Sequence, residues 1–346
     1  MIGWYVHSHG SGHAQRLDAV AAHLRTPVTV LSSLPQRAGV GSAWLQLADD
    51  LPVGDDRDVT AGGTLHWAPR HHPGLLSRTA EIAAWVSRAR PALVVVDVSV
   101  EVAVLVRSMG VPVVLAAMRG DRADRAHRTA YDLADALLAP WPAELPEPWP
   151  ASWLEKAWHV GALSRLDGRP RRPPPGDRRV AVLWGQGGSD VSLADVRRAE
   201  QATPGWTWDV IGVPGAPWVA DPWPVLQAAD VVITSAGQNA LAEVAAAARP
   251  AVVVPQDRPH GEQRANAAAL TLAGLALVRD SWPAAGEWAA LLSQAASRDG
   301  DRWERWSDGH GAARAASLLD GAALDWRAPG AAVEVPGVLA DTCAPH

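Results

Sequence analysis

The sequence predicts an α/β protein with two Rossmann-like domains, each built on a parallel sheet. Short apolar runs alternate with Ala- and Leu-rich segments of helical periodicity, a pattern typical of parallel strands joined by crossover helices. The alternation stops at residues 139–176, where Pro, Trp and charged residues dominate, and then starts again. A chain of 346 residues is also too long for one ordinary core and suits two domains of roughly 150 to 180 residues each.

The first half of the chain contains apolar runs of strand length. We expect its strands at residues 2–6, 28–31, 93–96, 111–115 and 136–138. Helical periodicity is found at residues 14–24, 75–88 and 100–108. Asp97 and Ser99 follow a predicted strand directly and precede a helix. Ligands of open α/β sheets bind at this end of the strands, so Asp97 is a candidate site residue.

A Pro-rich stretch divides the chain. The segment LDGRPRRPPPGDRR cannot continue a helix or a central strand, and we interpret residues 166–178 as a linker between domains at 1–165 and 179–327. In the second domain we expect strands at residues 180–184, 208–211, 231–234 and 251–254. A helix around residues 312–319 should close this domain, and residues 328–346 should form a loosely ordered tail. The carboxyl edges of the two sheets would then face a central cleft.

The composition limits the possible partners. A formal net charge of −6 gives no basic surface for a nucleic acid, and no apolar run reaches the roughly 18 residues of a membrane-spanning helix. We therefore expect no nucleic-acid partner, no integral membrane segment, a cytoplasmic location and at most peripheral membrane contact. Cys343 is the single cysteine, which excludes an internal disulfide and a thiolate zinc site. With 18 Trp and no Phe, most Trp side chains should take the place of Phe in the core.

The strongest cluster of polar residues is TSAGQNALAEVAAAARPAVVVPQDRPHGEQRANA, at residues 234–267. The turn from Ser235 to Asn239 exposes backbone N–H groups at a helix N-terminus, which suits a diphosphate. Glu243 follows on that helix, and its carboxylate can accept hydrogen bonds from both hydroxyls of a ribose.

An acidic and an amide side chain, Glu262 and Gln263, open the next predicted helix. Neighbouring acidic and amide groups are what vicinal sugar hydroxyls require, because each hydroxyl both donates and accepts. An ordinary polar helix surface is the other interpretation of this pair.

These motifs resemble the nucleotide-sugar-binding half of GT-B-fold glycosyltransferases, and most of all glycosyltransferase family 28. The resemblance extends over the whole chain and implies a GT-B fold with a UDP-activated hexose or N-acetylhexosamine as donor. Plant-type relatives have His in place of Ser235, and lipid II enzymes have an amide in place of Glu262, so the identity of the sugar stays open. The donor-binding residues that the resemblance implies are Gly12, Gly187, Gly188, Ser189, Val219, Ser235, Gly237, Gln238, Asn239, Glu243, Glu262 and Gln263.

The loop GSGH, which ends at His13, matches the N-terminal glycine-rich loop of the same enzymes. By this resemblance His13 is the catalytic base, and a histidine kept neutral by a helix N-terminus suits that role. Asp97 would orient the base or contact the acceptor, or else cap the following helix. Candidate acceptor-binding residues are His7, His9 and His72, although a solvated loop is the other interpretation of His72.

We therefore predict an inverting glycosyltransferase that needs neither a metal nor a cofactor. It would move a sugar from UDP to a hydroxyl of a small-molecule or lipid-linked acceptor. A UDP-sugar 2-epimerase or hydrolase would share the fold and the donor site, and a GT-B-like binding subunit without activity is a further alternative. A metal-dependent hydrolase with His7 and His9 on zinc would need an eight-stranded barrel, and the Gly-rich strand ends argue against it.

Overall fold

The computed structural model describes residues 1–8, 12–37, 39–54, 56–185 and 190–326. Its first sheet has seven strands in the order β3-β2-β1-β4-β5-β6-β7, and each neighbouring pair is parallel. These strands are β1 (Ile2–Tyr5), β2 (Val28–Ser32), β3 (Ala43–Gln46), β4 (Leu93–Asp97), β5 (Val113–Ala116), β6 (Ala136–Ala139) and β7 (Ala157–His159).

The second sheet has five strands in the order β12-β11-β10-β8-β9, again parallel throughout. These strands are β8 (Arg179–Leu183), β9 (Thr207–Ile211), β10 (Val231–Thr234), β11 (Ala251–Val253) and β12 (Leu277–Val278). Two separate parallel sheets confirm the predicted fold class and exclude the barrel that a metal-dependent hydrolase would require.

Helices cross over between the strands. The α-helices of the first part are α1 (Gly12–Ala21), α2 (Pro73–Ala89), α3 (Val100–Ser108), α4 (Arg125–Leu133) and α5 (Ala151–Leu154). Those of the second part are α6 (Leu193–Gln201), α7 (Trp223–Ala228), α8 (Gln238–Ala247), α9 (Glu262–Ala273), α10 (Trp288–Ala296) and α11 (Gly311–Asp325). Residues 160–178, between β7 and β8, contain neither strand nor helix.

Both sheets are covered by helices on their two faces. Apolar side chains of the first sheet divide into two buried clusters, and those of the second sheet into two more. Strands buried on both faces are continuous apolar runs, which is why all the predicted strands are present. The strands missed from the sequence are β3, β7 and β12, which are short and have no long β-branched run.

The helix expected to close the second domain packs elsewhere, so that prediction is wrong. The apolar face of α11 joins the core cluster that contains Leu17 of α1, on the first sheet. Asp320 of α11 accepts hydrogen bonds from the main-chain N–H groups of Arg25 and Thr26, at 3.1 and 2.9 Å. Helical periodicity identifies a buried face but not the surface that covers it.

Trp side chains supply much of the aromatic packing in the core, as predicted. Trp4, Trp141, Trp184, Trp288 and Trp303 are among the largest fully buried side chains. Within the described part of the chain, no helix is both long and apolar enough to cross a membrane.

Candidate functional site

Two helix N-termini meet at the carboxyl edges of the two sheets. α1 follows β1 and begins at Gly12, and α8 follows β10 and begins at Gln238. Asn239 Nδ2 donates to the main-chain oxygen of Gly12 at 3.2 Å and to Gln15 Oε1 at 3.0 Å. A Cβ atom at Gly12 would lie 3.1 Å from Asn239 Nδ2, so glycine permits this close approach. The two N-termini therefore form opposite walls of one cleft.

His13 and Asp97 form a hydrogen-bonded pair on the first wall. His13 Nδ1 lies 2.9 Å from Asp97 Oδ1, and Arg16 Nη1 donates to the same oxygen at 2.5 Å. Asp97 is fully buried, whereas 17% of the His13 side chain is exposed. Burial alone would raise the pKa of Asp97, but the charges and hydrogen bonds of Arg16 and His13 hold it below its usual range. The carboxyl group is therefore ionised at neutral pH.

The ionised carboxylate fixes the ring of His13. Since a carboxylate has no proton to donate, the hydrogen of this contact belongs to His13 Nδ1. In the neutral ring, Nε2 is then an acceptor. The pair can take a proton from a hydroxyl group that lies in the cleft.

The structure distinguishes between the roles predicted for Asp97. Ser99, and not Asp97, caps α3: its hydroxyl accepts from the main-chain N–H of Val102 at 3.3 Å. Val98, between the two, has a φ of 60°, a left-handed conformation that a β-branched residue rarely adopts. The capping interpretation of Asp97 is therefore wrong, and its side chain is left to contact His13.

The second wall is the N-terminus of α8. Gly237 is its N-cap residue, and no side chain among the described residues accepts from the first amides of the helix. Free N–H groups and the helix dipole together favour an anion such as a diphosphate. Arg16 Nη2 donates to Gln238 Oε1 at 2.7 Å, and Ser235 is buried at the start of the turn. The structure thus places Ser235, Gly237, Gln238 and Asn239 in one turn, and Gln238 and Asn239 of that turn contact α1.

Glu243 lines a pocket of about 80 Å³ behind this turn, together with Val219, Trp218 and Asn239. Arg165 Nε donates to Glu243 Oε1 at 3.0 Å. Burial raises the pKa of Glu243, although the charge of Arg165 opposes this effect. Glu243 and Val219 therefore share one pocket, and Arg165 pairs with the carboxylate there.

Gln263 and Asn266 hold the turn that begins α8. Gln263 Oε1 accepts from the main-chain N–H groups of Ala236 and Gln256, at 3.1 and 2.9 Å. Asn266 Nδ2 donates to the main-chain oxygen of Ala236 at 2.8 Å. The oxygen of Gln263 therefore already has two donors, which leaves its Nε2 as the atom able to donate to another group.

Glu262, the first residue of α9, is half-buried at the same edge. Burial raises its pKa, and the positive charges of Arg122 and Arg16 in the first domain oppose this shift. Glu262 therefore faces the cleft between the two domains.

A pocket of about 220 Å³ opens in the first domain. His7 lines it, and the ring centroids of His7 and His13 are 5.8 Å apart. Burial lowers the pKa of His7 to about 4, and repulsion from His13 in its protonated form contributes, so the His7 ring is neutral at neutral pH. Arg78 pairs with Asp50 in the same pocket and donates to Tyr5 Oη at 2.7 Å. The other walls are mostly apolar, and include Leu65, Trp67, Ala68, Leu75, Ile82, Val102, Val104 and Leu105.

His72 is not one of the residues that line this pocket. It is buried and caps α2: its Nδ1 accepts from the main-chain N–H of Leu75 at 3.1 Å, and its Nε2 donates to the main-chain oxygen of Leu51 at 2.9 Å. Both ring nitrogens are used, so the predictions of an acceptor contact and of a solvated loop are both wrong for His72. Pro73 at the first helical position was a signal for this cap.

Four predicted site residues lie outside the described residues. They are His9, Gly187, Gly188 and Ser189.

Two arginines of the site were missed in the sequence. Arg16 lies three positions after His13 on α1, a spacing that places both on one helix face and could have identified it. Arg165 belongs to no motif and contacts Glu243 from 78 positions away, so no local signal pointed to it.

Residues 215–284 match the model of the glycosyltransferase family 28 C-terminal domain. No match to the chain was found among curated proteins.

The fold is similar to those of several solved glycosyltransferases. Spinosyn forosaminyltransferase SpnP is 15% identical, with a TM-score of 0.67 over 93% of this chain and 99% of that one. MurG of Acinetobacter baumannii is 16% identical, with a TM-score of 0.62 over 92% and 99%. Phytolacca americana UGT2, solved with UDP-2-fluoroglucose and pterostilbene, is 17% identical, with a TM-score of 0.63 over 94% and 98%.

These findings confirm the predicted resemblance to glycosyltransferase family 28 and the predicted GT-B fold. They support an enzyme of the glycosyltransferase class.

Proposed function

We propose that this chain transfers a hexose or an N-acetylhexosamine from UDP to a hydroxyl group of an acceptor, with inversion at the anomeric carbon. One observation carries the proposal: contacts from Arg16 to Gln238 and from Asn239 to Gly12 place the uncapped N-terminus of α8 next to the His13–Asp97 pair. A base that faces an anion site is the arrangement that this displacement needs.

The second domain would bind the donor. The first amides of α8, with Gln238 and Asn239, would contact the diphosphate. Glu243 would accept hydrogen bonds from the ribose hydroxyls. Val219 would lie beside the uracil ring, because Val219 and Glu243 line the same pocket. Glu262 and Gln263 Nε2 would contact hydroxyls of the sugar.

Transfer would proceed by a single displacement. The acceptor oxygen forms a bond to the anomeric carbon while its proton moves to His13 Nε2, and the bond from that carbon to the diphosphate oxygen breaks. The electron pair leaves with UDP, whose added negative charge is stabilised by the N-terminus of α8. Asp97 holds the ring and stabilises the imidazolium that forms, so the chemical step needs neither a metal nor a cofactor.

The first-domain pocket supports transfer over hydrolysis or epimerisation. Hydrolysis uses water and epimerisation uses an internal proton shift, so neither reaction needs a site for a second organic substrate. This pocket of about 220 Å³ beside His13 is large enough to be such a site. Its mostly apolar walls suit a small acceptor with an apolar body, or the apolar part of a lipid-linked one.

The test is mass analysis of the purified protein with a panel of nucleotide sugars and model hydroxyl acceptors, beside calorimetric UDP binding. We expect a glycoside and UDP as products, a loss of turnover of roughly 10²-fold or more in His13→Ala, and UDP affinity unchanged in that variant. His71→Ala, at an exposed loop histidine, is the matched control.

Other products would replace the proposal with a named alternative. Release of free sugar in the absence of an acceptor would identify a hydrolase. A product whose sugar is inverted at C2 would identify a 2-epimerase. Unchanged turnover in His13→Ala would remove this residue from the mechanism, and failure to bind any nucleoside diphosphate would overturn the donor site.

A further inference from the structure

Three histidines and one aspartate converge where the two domains touch. They are His66, Asp124, His127 and His260, and one potential ligand atom from each lies within 4.8 Å of the other three. His66 Nε2 is 3.3 Å from Asp124 Oδ1. His260 Nδ1 is 3.7 Å from Asp124 Oδ2, which His127 Nδ1 also contacts. The ring centroids of His127 lie 4.4 Å from His66 and 4.5 Å from His260. The mechanism proposed above uses none of the four.

The backbone fixes two of these side chains on one short helix. Asp124 is the N-cap of α4 and accepts from the main-chain N–H of His127 at 3.0 Å. This capping bond holds the carboxylate and the imidazole side by side in the first helical turn. His66 reaches them from the loop before α2, where its main-chain N–H donates to Glu101 at 2.7 Å.

His260 comes from the second domain, on the loop that leads into α9. Its φ is 62°, and its main-chain oxygen accepts from the N–H of Asp121 at 2.7 Å. A Cβ atom at Gly120 would lie only 2.3 Å from that oxygen, so the two loops touch closely. The two domains thus each contribute ligand groups to one cluster.

The protonation states favour a cation. Burial lowers the pKa of His127 to about 4 and also lowers that of His260, so both rings are neutral at neutral pH. Partial burial would raise the pKa of Asp124, but hydrogen bonds from His127 and His66 bring it well below its usual range. Neutral imidazoles and an ionised carboxylate are the forms that bind a metal.

The neighbouring charges leave room for that ion. Arg122 Nη1 lies 3.2 Å from His127 Nε2, on the other side of the ring from Asp124, and this contact leaves Nδ1 to face the cluster. The carboxylates of Asp124 and Asp121 raise the pKa of His260 and so oppose the positive charge of Arg122, which lowers it.

We propose that His66, Asp124, His127 and His260 bind one divalent transition metal ion, such as Zn²⁺, and that this ion bridges the two domains. Three nitrogens and one oxygen are a common tetrahedral zinc set, with bonds of about 2.0 to 2.2 Å and therefore ligand atoms roughly 3.4 Å apart. The cluster needs to contract by little more than an ångström to reach that spacing. When the metal binds Nδ1, the neutral His127 ring carries its proton on Nε2 instead, and Arg122 Nη1 turns away from that atom. The ion would resist opening of the cleft without entering the chemical step.

The experiment is a calorimetric titration of the chelator-treated, full-length protein with Zn²⁺, repeated with Co²⁺, whose visible absorption reports tetrahedral coordination. We expect one equivalent to bind, with an affinity weakened by roughly tenfold or more in each of His127→Gln and His260→Gln. His71→Gln and His23→Gln, at exposed histidines, should bind as the wild type does. Circular dichroism checks the folding of each variant, and His66→Gln replaces any variant that does not fold.

Two results would overturn the proposal in different ways. Unchanged Zn²⁺ binding in His127→Gln would show that the metal binds elsewhere. Weakened binding in His127→Gln but unchanged binding in His260→Gln would restrict the site to one domain and remove the bridge.

Discussion

The guanidinium group of Arg16 donates to Gln238 Oε1 at 2.7 Å, although 222 positions separate the two residues. The same group donates to Asp97 at 2.5 Å, and the Arg16 side chain is only 5% exposed. One side chain therefore connects the His13–Asp97 pair with the first residue of α8.

Arg16→Lys keeps the charge but places all three N–H donors on one nitrogen, so it does not reproduce the contacts that Nη1 makes with Asp97 and Nη2 makes with Gln238. We expect kcat to fall by roughly tenfold or more and the affinity for UDP to weaken, since Arg16 positions groups on both sides of the cleft. Steady-state kinetics and UDP calorimetry measure the two effects. Arg88→Lys, on an exposed position of α2, is the control. A change in KM alone would contradict a role of Arg16 in holding Asp97.

Asp97→Asn removes the charge that holds His13 while it preserves the shape of the side chain. An amide can donate to His13 Nδ1 and so favour the wrong tautomer, with Nε2 protonated. We expect kcat to fall by roughly 10²-fold and UDP affinity to stay unchanged. Asp325→Asn removes a charge at an exposed residue and should have no effect. Equal losses in kcat and in UDP binding would indicate structural damage instead.

Glu243→Gln tests the ribose contact by comparing UDP with 2′-deoxy-UDP. The wild type should prefer UDP because a carboxylate accepts the 2′-hydroxyl, and a hydrogen bond to a charged group contributes roughly 1.5 to 3 kcal/mol. The variant should lose most of this preference while its affinity for 2′-deoxy-UDP changes little. Calorimetry measures both ligands, with Glu155→Gln as the exposed control. The same preference in the variant and the wild type would exclude Glu243 from ribose binding.

Asp167→Asn tests a carboxyl group whose burial raises its pKa to about 6. Asp167 Oδ1 is buried without a hydrogen-bond partner among the described residues. An acid with a raised pKa in the folded state releases its proton more readily when unfolded, so its contribution to stability falls as pH rises from about 4 to 6. We expect the variant to be more stable than the wild type by roughly 1 kcal/mol at pH 7.5, and not at pH 4.

Urea unfolding at the two pH values measures this difference, and Asp325→Asn is again the control. A gain in stability that is equal at both pH values would contradict the titration of Asp167.

Trp303 and Trp288 are a matched pair with which to measure how the hydrogen bond of a buried indole N–H group affects the free energy of unfolding. Both are fully buried, but Trp303 Nε1 donates to the main-chain oxygen of Arg249 at 2.8 Å. Trp288 Nε1 has no hydrogen-bond partner within the described ranges. Each change to Phe leaves a similar cavity, but Trp303→Phe also removes the donor to a buried oxygen, which costs roughly 1 to 3 kcal/mol. The free energy of unfolding should therefore fall further in Trp303→Phe, and equal losses would contradict this assignment.

The sequence predicts the interior of each sheet well, because a strand buried on both faces must be apolar throughout. It predicts the edges poorly: β7 and β12 have only three and two residues, and nothing in AWH or LV distinguishes a strand from a loop. The domain limits at residues 165 and 178 stay predictions.

The candidate site was predictable where its residues follow strand ends, as Asp97 and Ser235 do. The contacts between His13 and Asp97 or between Arg165 and Glu243 depend on how distant elements pack, and no local pattern encodes that packing. His72 shows the reverse error: its position in a Pro- and Trp-flanked loop suggested solvent or substrate, but backbone capping uses both of its nitrogens.

The chain crosses between the two sheets twice, once through residues 160–178 and once on the way to α11. The crossings touch, since the N–H of Ala162 donates to the main-chain oxygen of Trp306 at 3.2 Å and Arg314 Nε donates to that of Val160 at 3.0 Å. Two adjacent covalent connections favour a hinge motion, in which the second sheet rotates about one axis relative to the first, and they oppose twisting or sliding of the two sheets. Any motion that admits a donor should therefore swing α8 away from α1 along a single arc and return it to the same register.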